Sequence, residues 1–376
     1  MILKNLDTNF VNEKDFQKLI FENELIKQDI AKLLNIEMTN FKLVKEDEYI
    51  NKITADFTVL NNNIVSAIIE CKGGNIGVTE YVRGIGQIFQ YEYFAENGLS
   101  KKNYKFCDIK DFKSVYIFPD SVLRINDFNI GLFKYPKSKL IIEINQFSNA
   151  VRIITDKELS YLADNKRNNL KAISQYYIRD IRLFEIYFVL KVLSIYKLKN
   201  KIVNRKELES NILKKSNSIN NSNWRNVFIA LSSLGLIDKN NYPTNAGFNL
   251  VNMDFPNFAL TILKSYINPY IKEIFKVLNE NQNQNLSINE IKEKIKENYN
   301  NVDVLFLTES DGRYISSWLN IIRDDFGFIK FKARSNDRKI ILNYMEYNDE
   351  AVIKTIKNHS KYYEFKNKFL EIIDAI

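Results

Sequence analysis

Two carboxylates and one amine, Asp56, Glu70 and Lys72, lie close together in a short segment of the chain. Neighbouring carboxylates repel each other unless one of them stays protonated or a cation lies between them. Mg²⁺ and Mn²⁺ prefer such oxygen ligands, and a bound ion lowers the pKa of its water so that the water can attack a phosphodiester. These residue types therefore indicate metal-dependent hydrolysis.

The segment that carries these residues has the alternating pattern of a β-hairpin. Two apolar runs lie on either side of Asn62, which indicates two antiparallel strands and a turn. Because side chains alternate along a strand, Glu70 and Lys72 share one face. If the turn centres on Asn62, Asp56 lies opposite Ile68 and diagonal to Glu70 on that face. We therefore expect the two carboxylates and the amine to converge.

These residues resemble the PD-(D/E)XK nuclease superfamily, to which many type II restriction endonucleases belong. Asp56 corresponds to the aspartate of the motif, Glu70 to the acidic residue and Lys72 to the lysine. Cys71 takes the variable position, and Ala55 stands where the motif has proline. The resemblance implies that the two carboxylates hold one or two Mg²⁺ ions, with Mn²⁺ as a substitute. It also implies that the lysine orients or deprotonates the water, or stabilises the phosphate.

Two further catalytic candidates follow from the same resemblance. Glu13 lies in an amphipathic helix before the hairpin, where the superfamily has an auxiliary acidic residue, although Asp15 and Glu22 are nearby alternatives. Gln87 and Tyr91 match the Gln-x-x-x-Tyr helix that follows the lysine in some members, and they lie one helical turn apart. We take Gln87 as a catalytic candidate and interpret Tyr91 mainly as a core aromatic residue.

The order of elements predicts an α/β nuclease domain followed by mostly α winged-helix-like domains. Helical and β-type segments alternate over residues 1–170, which is typical of a mixed central sheet flanked by helices. Beyond this domain, two similar units of three helices and a short β-ribbon cover residues 180–255 and 265–345. Residues 346–376 are predicted to form a C-terminal helical tail. The two repeated units resemble winged helices in shape.

The third helix of each winged-helix-like unit holds the candidates for DNA recognition. In winged-helix proteins such a helix enters the major groove, where Arg reads guanine and Asn reads adenine. The candidates for such contacts are Asn223, Arg225, Asn226, Arg313, Ser316, Asn320 and Arg323. The same helices could instead belong to protein-interaction modules whose polar side chains are merely solvated.

Composition narrows the class of protein further. The chain has 376 residues and a net charge of +8, with an acidic first quarter and a basic middle, as expected when a polyanion binds beside a carboxylate metal site. The single histidine, His359, excludes a multi-histidine metal site, and two cysteines are too few for a disulfide framework.

The most apolar segment, 181–198, contains charged residues, and the N-terminus lacks a secretory signal. We therefore expect a cytoplasmic protein without a membrane span.

Together these features predict a restriction-type, sequence-specific, Mg²⁺-dependent endonuclease that hydrolyses double-stranded DNA. Cutting both strands would require a homodimer or sequential nicking. One alternative is a repair or defence nuclease of the same superfamily that acts on structured or modified DNA. Another is a non-catalytic winged-helix regulator that binds DNA through its C-terminal units.

Overall fold

The computed structural model describes residues 11–100, 102, 104–125, 128–164, 170–171, 176–219, 224–281, 285–304, 307, 312–332, 339–343 and 348–376. The chain separates into two compact units, Asn9–Ala172 and Ile173–Ile376. The first unit contains a mixed β-sheet flanked by helices, and the second is mostly helical. The predicted fold class is therefore confirmed at this level.

A mixed seven-stranded sheet forms the centre of the N-terminal unit. Its strands are β1 (Phe41–Glu48), β2 (Thr54–Asn61), β3 (Ile64–Cys71), β4 (Lys105–Phe106), β5 (Lys113–Pro119), β6 (Lys139–Ile144) and β7 (Val151–Ile153). Six of them follow the order β1-β2-β3-β5-β6-β7, and β4 pairs with β3. The pairs β3–β5 and β5–β6 are parallel, whereas β1–β2, β2–β3 and β6–β7 are antiparallel.

Helices cover both faces of this sheet. They are α1 (Glu13–Glu22), α2 (Glu24–Leu33), α3 (Val78–Asn97), α4 (Ser121–Ile125) and α5 (Asp156–Asp164). Apolar residues of α1 and α2 form one core with Ile69 and Ile117, and residues of α3 form a second core with Ile68 and Tyr116. Because successive strand residues point to opposite faces, each face of the sheet has its own core. The β2–β3 hairpin lies between α1 and α3.

The register of the hairpin differs from the one expected from a turn centred on a single asparagine. The prediction that Asp56 lies opposite Ile68 was wrong, because the structure pairs Thr58 with Ile68. Two asparagines with positive φ angles form the turn, and a β-bulge next to it shifts the pairing. The same register brings Asp56 level with Glu70 across the hairpin, so the two carboxylates lie closer together than predicted.

The C-terminal unit is built around α6 (Leu183–Leu198), whose first eight residues are all buried. A helix that is apolar on all sides must be surrounded by other elements. The other helices are α7 (Arg205–Asn211), α8 (Trp224–Ser233), α9 (Asn245–Val251), α10 (Phe255–Ile262), α11 (Asn268–Glu280), α12 (Ile288–Glu297), α13 (Arg313–Asp324), α14 (Asp349–His359) and α15 (Tyr362–Asp374). None of the helices that the structure describes is long and apolar enough to span a lipid bilayer.

Short β elements follow two of these helices. A single bridge between Ile237 and Pro243 follows α8, and an antiparallel ribbon of Ile329–Lys330 and Ile341–Leu342 follows α13. Residues 333–338, between the two strands of this ribbon, lie outside the described residues. Three helices therefore precede a β element twice along the described chain.

Two adjacent aspartates at the end of α13 have pKa values that are shifted in opposite directions. Asp324 forms ion pairs with Arg182 and Arg323, each at 2.7 Å. Burial acts to raise its pKa, but the hydrogen bonds from Arg323 and the charge of Arg182 lower the pKa to about 2. Asp325 is fully buried and accepts a hydrogen bond from the Phe184 N–H at 3.0 Å. Burial raises the pKa of Asp325 to about 8.

The raised pKa of Asp325 predicts that the stability of Asp325→Asn, relative to that of the wild type, increases as the pH rises from 5 to 8. The folded wild type keeps a proton that the unfolded chain releases, and this contribution to stability is lost as the pH rises through about 8. The difference in unfolding free energy should grow by about 1.4 kcal/mol per pH unit at most. Urea denaturation at several pH values measures it. Asp374→Asn, an exposed change, is the control, and a difference that does not vary with pH would contradict the prediction.

Candidate active site

Glu70 and Lys72 form a buried ion pair at the carboxyl end of β3. Lys72 Nζ lies 2.6 Å from Glu70 Oε1, and the two residues are 5% and 2% exposed. The Tyr91 hydroxyl of α3 donates a hydrogen bond of 2.6 Å to Glu70 Oε2. Each oxygen of the Glu70 carboxylate therefore accepts one hydrogen bond, which holds the carboxylate in a single orientation.

Asp56 reaches the same place from β2. Its Oδ2 accepts a hydrogen bond of 2.6 Å from the Cys71 N–H, and its Oδ1 accepts one of 2.8 Å from the Gln17 side-chain amide of α1. The charges of Glu70 and Lys72 both act on the Asp56 carboxyl. The structure thus brings together the three residues that the sequence placed on one face of the hairpin.

Glu13 lies at the edge of this group, in the first turn of α1. Its Oε2 is 3.7 Å from Lys72 Nζ, and its side chain is 43% exposed. Of the alternatives considered from the sequence, Asp15 accepts a hydrogen bond from the side chain of Asn12, the residue that caps α1, and Glu22 is exposed at the other end of the helix. Glu13 is therefore the acidic residue of α1 that faces the site.

A glycine allows α1 to approach the loop after β3. A Cβ atom at Gly73 would lie 2.8 Å from the backbone nitrogen of Glu13, and the next N–H of the loop, that of Gly74, donates a hydrogen bond of 2.8 Å to the Val11 carbonyl. The backbone contact between this loop and the start of α1 therefore sets the position of the Glu13 carboxylate.

For the phosphodiester cleavage that the sequence predicts, we expect Gly73→Ala to lower the rate by about tenfold or more, because the added methyl group would push α1 and Glu13 away from Lys72. The matched control is Gly86→Ala in α3, where an added Cβ meets nothing within 4 Å. Cleavage rates and melting temperatures of both variants measure the effect. If Gly73→Ala cleaves as fast as Gly86→Ala, the close approach has no role in the site.

The site has an excess of buried negative charge. Burial, followed by the charge of Glu70, raises the pKa of Asp56 to about 7. Burial also raises the pKa of Glu70, although the nearby Lys72 opposes this shift. Burial alone would lower the pKa of Lys72, but the charge and hydrogen bond of Glu70 raise it, so the amine stays protonated. One ammonium group faces three carboxylates including Glu13, so an added proton or cation is favoured here.

The donor set fits Mg²⁺ better than a metal that needs a complete cage of side chains. In the described part of the chain, no group of three or more His, Cys, Asp or Glu side chains is arranged to hold a metal ion. Mg²⁺ is commonly bound by one or two carboxylates, with water and substrate phosphates as its other ligands. Asp56 and Glu70 can supply two such carboxylates, since each oxygen accepts only one of the hydrogen bonds described above and keeps a second lone pair.

Tyr91 of α3 contacts this group, and Gln87 lies one helical turn before it on the same helix. Tyr91, which the sequence suggested as a core residue, is fully buried and also donates a hydrogen bond to Glu70. Burial and the charge of Glu70 raise the pKa of Tyr91, so its hydroxyl keeps the proton that it donates. Gln87 is half-buried, and its Oε1 is buried without a hydrogen-bond partner among the described residues. A buried oxygen of this kind can accept a hydrogen bond from a bound molecule.

Gln17 is a site residue that sequence reasoning missed. It is 8% exposed and orients Asp56 through the hydrogen bond to Oδ1. Its position four residues after Glu13 could have identified it as a site residue, since residues at this spacing share one face of a helix.

The predicted DNA-binding residues lie in the C-terminal unit. Arg225 and Arg313 are exposed, and four others are partly exposed: Asn226, Ser316, Asn320 and Arg323. Arg323 binds Asp324 through two nitrogens at 2.7 and 2.8 Å and lies over the Phe331 ring at 4.4 Å, so its guanidinium group already has partners inside the protein. Asn223 lies outside the described residues.

A comparison with protein-family models, curated proteins and solved structures found no match for this chain. The relation to the nuclease superfamily is therefore a resemblance carried by the residues of the hairpin and of the two helices beside it. Function has to be argued from the geometry and the electrostatics of this group.

Proposed function

We propose that this protein is a restriction-type endonuclease that cleaves double-stranded DNA at specific sequences with Mg²⁺ as its cofactor and Mn²⁺ as a substitute. The observation that supports this most is the meeting of Asp56, Glu70 and Lys72 at the carboxyl end of β3, with Glu13 at the edge of the group. Burial and the charge of the buried Glu70 raise the pKa of Asp56, so a cation is favoured beside these carboxylates. Together with the protonated amine of Lys72, this arrangement suits the hydrolysis of a phosphodiester.

In this proposal each side chain has a defined task. Asp56 and Glu70 hold the metal, which when bound supplies a water of lowered pKa and neutralises charge on the phosphate. Lys72 keeps its proton and faces the same site, so its ammonium group stabilises the developing negative charge on the phosphate. Gln17 and Tyr91 hold the two carboxylates in place through their hydrogen bonds.

Recognition of sequence is assigned to the C-terminal unit, as two winged-helix-like domains. Support comes from the order of elements, since α6, α7 and α8 precede a β-bridge, and α11, α12 and α13 precede a two-stranded ribbon. The exposed Arg225 and Arg313, in the first turns of α8 and α13, suit contacts to guanine in the major groove. The enzyme would act in the cytoplasm, and a homodimer would place one site on each DNA strand.

The test is to incubate the purified protein with unmodified plasmid and phage DNA, with Mg²⁺, with Mn²⁺ or with EDTA, and to sequence the ends. Discrete ends that appear only with metal would support a site-specific endonuclease. Cleavage confined to branched or modified DNA would favour a repair or defence nuclease. Binding of DNA without cleavage under every metal condition would contradict the proposal and favour a regulator.

A further inference from the structure

The connection between α6 and α7 carries an unusual combination of side chains. Residues 197–206, here called the lysine loop, contain no acidic residue and five cations: Lys197, Lys199, Lys201, Arg205 and Lys206. The loop also holds the two most exposed large apolar side chains of the described residues, Ile202 at 85% and Leu198 at 75%. A single exposed aliphatic residue is ordinary, but two of them among five cations form a distinct surface.

The lysine loop has a defined conformation. Asn200 has a φ of 52°, which reverses the chain at the end of α6, and the Lys201 N–H donates a hydrogen bond of 2.8 Å to the Tyr196 carbonyl. The Tyr242 hydroxyl donates one of 3.0 Å to the Lys201 carbonyl. A surface that is already ordered loses little conformational entropy when a partner binds.

The cations of the loop differ in the partners that they have. Lys201 lies over the Tyr196 ring and donates to the Ile376 carbonyl at 3.0 Å, and Arg205 pairs with Glu209 at 3.3 Å. Lys199 and Lys206 have neither an ion pair nor a side-chain hydrogen bond to any residue that the structure describes. Two ammonium groups of the loop are thus available to an anion.

A cavity of about 370 Å³ adjoins the loop and adds to its positive charge. Lys201 of the loop, Lys215 of the turn after α7, and Lys368 of α15 all line it. The acidic side chain among its lining residues is Glu371, which already pairs with Lys368 at 3.0 Å. Ammonium groups from three separate elements therefore line a space large enough for a phosphate group, and those of Lys201 and Lys368 already have partners within the protein.

We propose that the lysine loop and this cavity form a second DNA-contact surface, separate from the third helices of the winged-helix-like domains. The cations contact phosphates of the DNA backbone, and Ile202 and Leu198 lie against the sugar edges of the minor groove. Charge complementarity supports DNA as the partner, because the loop itself carries five cations and no acidic residue, which suits a polyanion. Apolar side chains next to phosphate contacts are typical of proteins that enter the minor groove.

The same chemistry could also attract an anionic membrane, but the structure favours DNA. Membrane binding by a surface element usually requires an amphipathic helix with a broad apolar face. The lysine loop offers two exposed aliphatic side chains, Leu198 and Ile202, which is a small apolar area. The inference rests on the proposed function, in which double-stranded DNA is the substrate.

The test measures binding to a short fluorescent DNA duplex in EDTA, with full-length Asp56→Ala protein so that no cleavage occurs. Lys199→Ser/Lys206→Ser should reduce the slope of log Kd against log salt concentration by about two, since two phosphate contacts are lost. The matched control, Lys354→Ser/Lys357→Ser in α14, removes the same charge from exposed positions elsewhere in the unit. It should leave the slope unchanged. Ile202→Ser should weaken binding several-fold with an unchanged slope.

Several outcomes would overturn this inference. They are wild-type affinity and slope in the loop variants, equal losses in the loop and control variants, and loop-dependent binding of phosphatidylserine vesicles with DNA binding unaffected. The two proposals can fail separately. If the wild type cleaves DNA but the loop variants bind normally, only the second surface is wrong. If DNA binding depends on the loop but the wild type never cleaves, the nuclease proposal is wrong and the surface stands.

Discussion

Replacing Asp56 with Asn, or Glu70 with Gln, should lower the rate of Mg²⁺-dependent DNA cleavage by roughly a thousandfold or more. Both changes remove one negative charge from the metal site and keep the shape of the side chain. DNA affinity in EDTA should stay within about twofold of the wild type, because the proposed DNA-contact residues lie in the C-terminal unit. Single-turnover cleavage and equilibrium binding measure the two effects.

The stability of the Asp56 variant provides an independent check on the site. Glu70 is buried and Asp56 is half-buried, and burial with the charge of Glu70 raises the pKa of Asp56 to about 7. As the pH rises through that value without metal, the folded wild type loses a stabilising proton and both groups carry charge. The stability of Asp56→Asn relative to that of the wild type should therefore increase between pH 5 and pH 8 in EDTA, as measured by urea denaturation.

The controls are Asp15→Asn and Glu22→Gln, which remove a carboxylate from exposed positions on α1. Both should cleave DNA at rates close to that of the wild type. Near wild-type cleavage by the purified Asp56 and Glu70 variants would remove the assignment of the metal site.

Lys72→Met should destabilise the protein by about 3–5 kcal/mol and also abolish cleavage. Glu70 is 2% exposed, and its ion pair of 2.6 Å is with the Lys72 ammonium group. Without the lysine, Glu70 must either stay charged and unpaired in the interior or take up a proton. Both outcomes cost free energy relative to the intact pair. Urea denaturation at neutral pH measures the loss.

The double variant Glu70→Gln/Lys72→Met separates the structural role of the lysine from its chemical role. With the buried carboxylate removed, most of the lost stability should return, whereas cleavage should stay absent. Lys42→Met on β1, an exposed lysine, is the control for the loss of a positive charge. Equal instability of the single and double variants would show that Lys72 does not compensate the charge of Glu70.

Much of the site could be predicted from the sequence because its determinants are local. Alternation along one strand places Glu70 and Lys72 on the same face, whatever the rest of the chain does. The apolar runs and the asparagine turn likewise specify a hairpin, and the helical periodicity before it places Glu13 on a neighbouring helix. The division into a sheet-containing first part and a mostly helical second part also follows from periodicity.

Tertiary structure decided how these parts meet. The register of the hairpin depends on the turn and the bulge together. The partner of Ile68 is Thr58 in place of Asp56, and because this shift is by two residues it keeps every side chain on its face, so the hydrophobic alternation does not reveal it. The hydrogen bonds from Gln17 and Tyr91 join helices on either side of the hairpin to residues far away in the chain.

The sequence by itself thus determined which chemical groups are present and which face of a strand or helix carries them, because periodicity is a local property of the backbone. It did not determine that Arg323 would be engaged by Asp324 and Phe331, or that Gly73 would meet the start of α1. Those contacts arise from the packing of elements against one another. Packing depends on the shapes and charges of all the surfaces that meet, and no single segment contains that information.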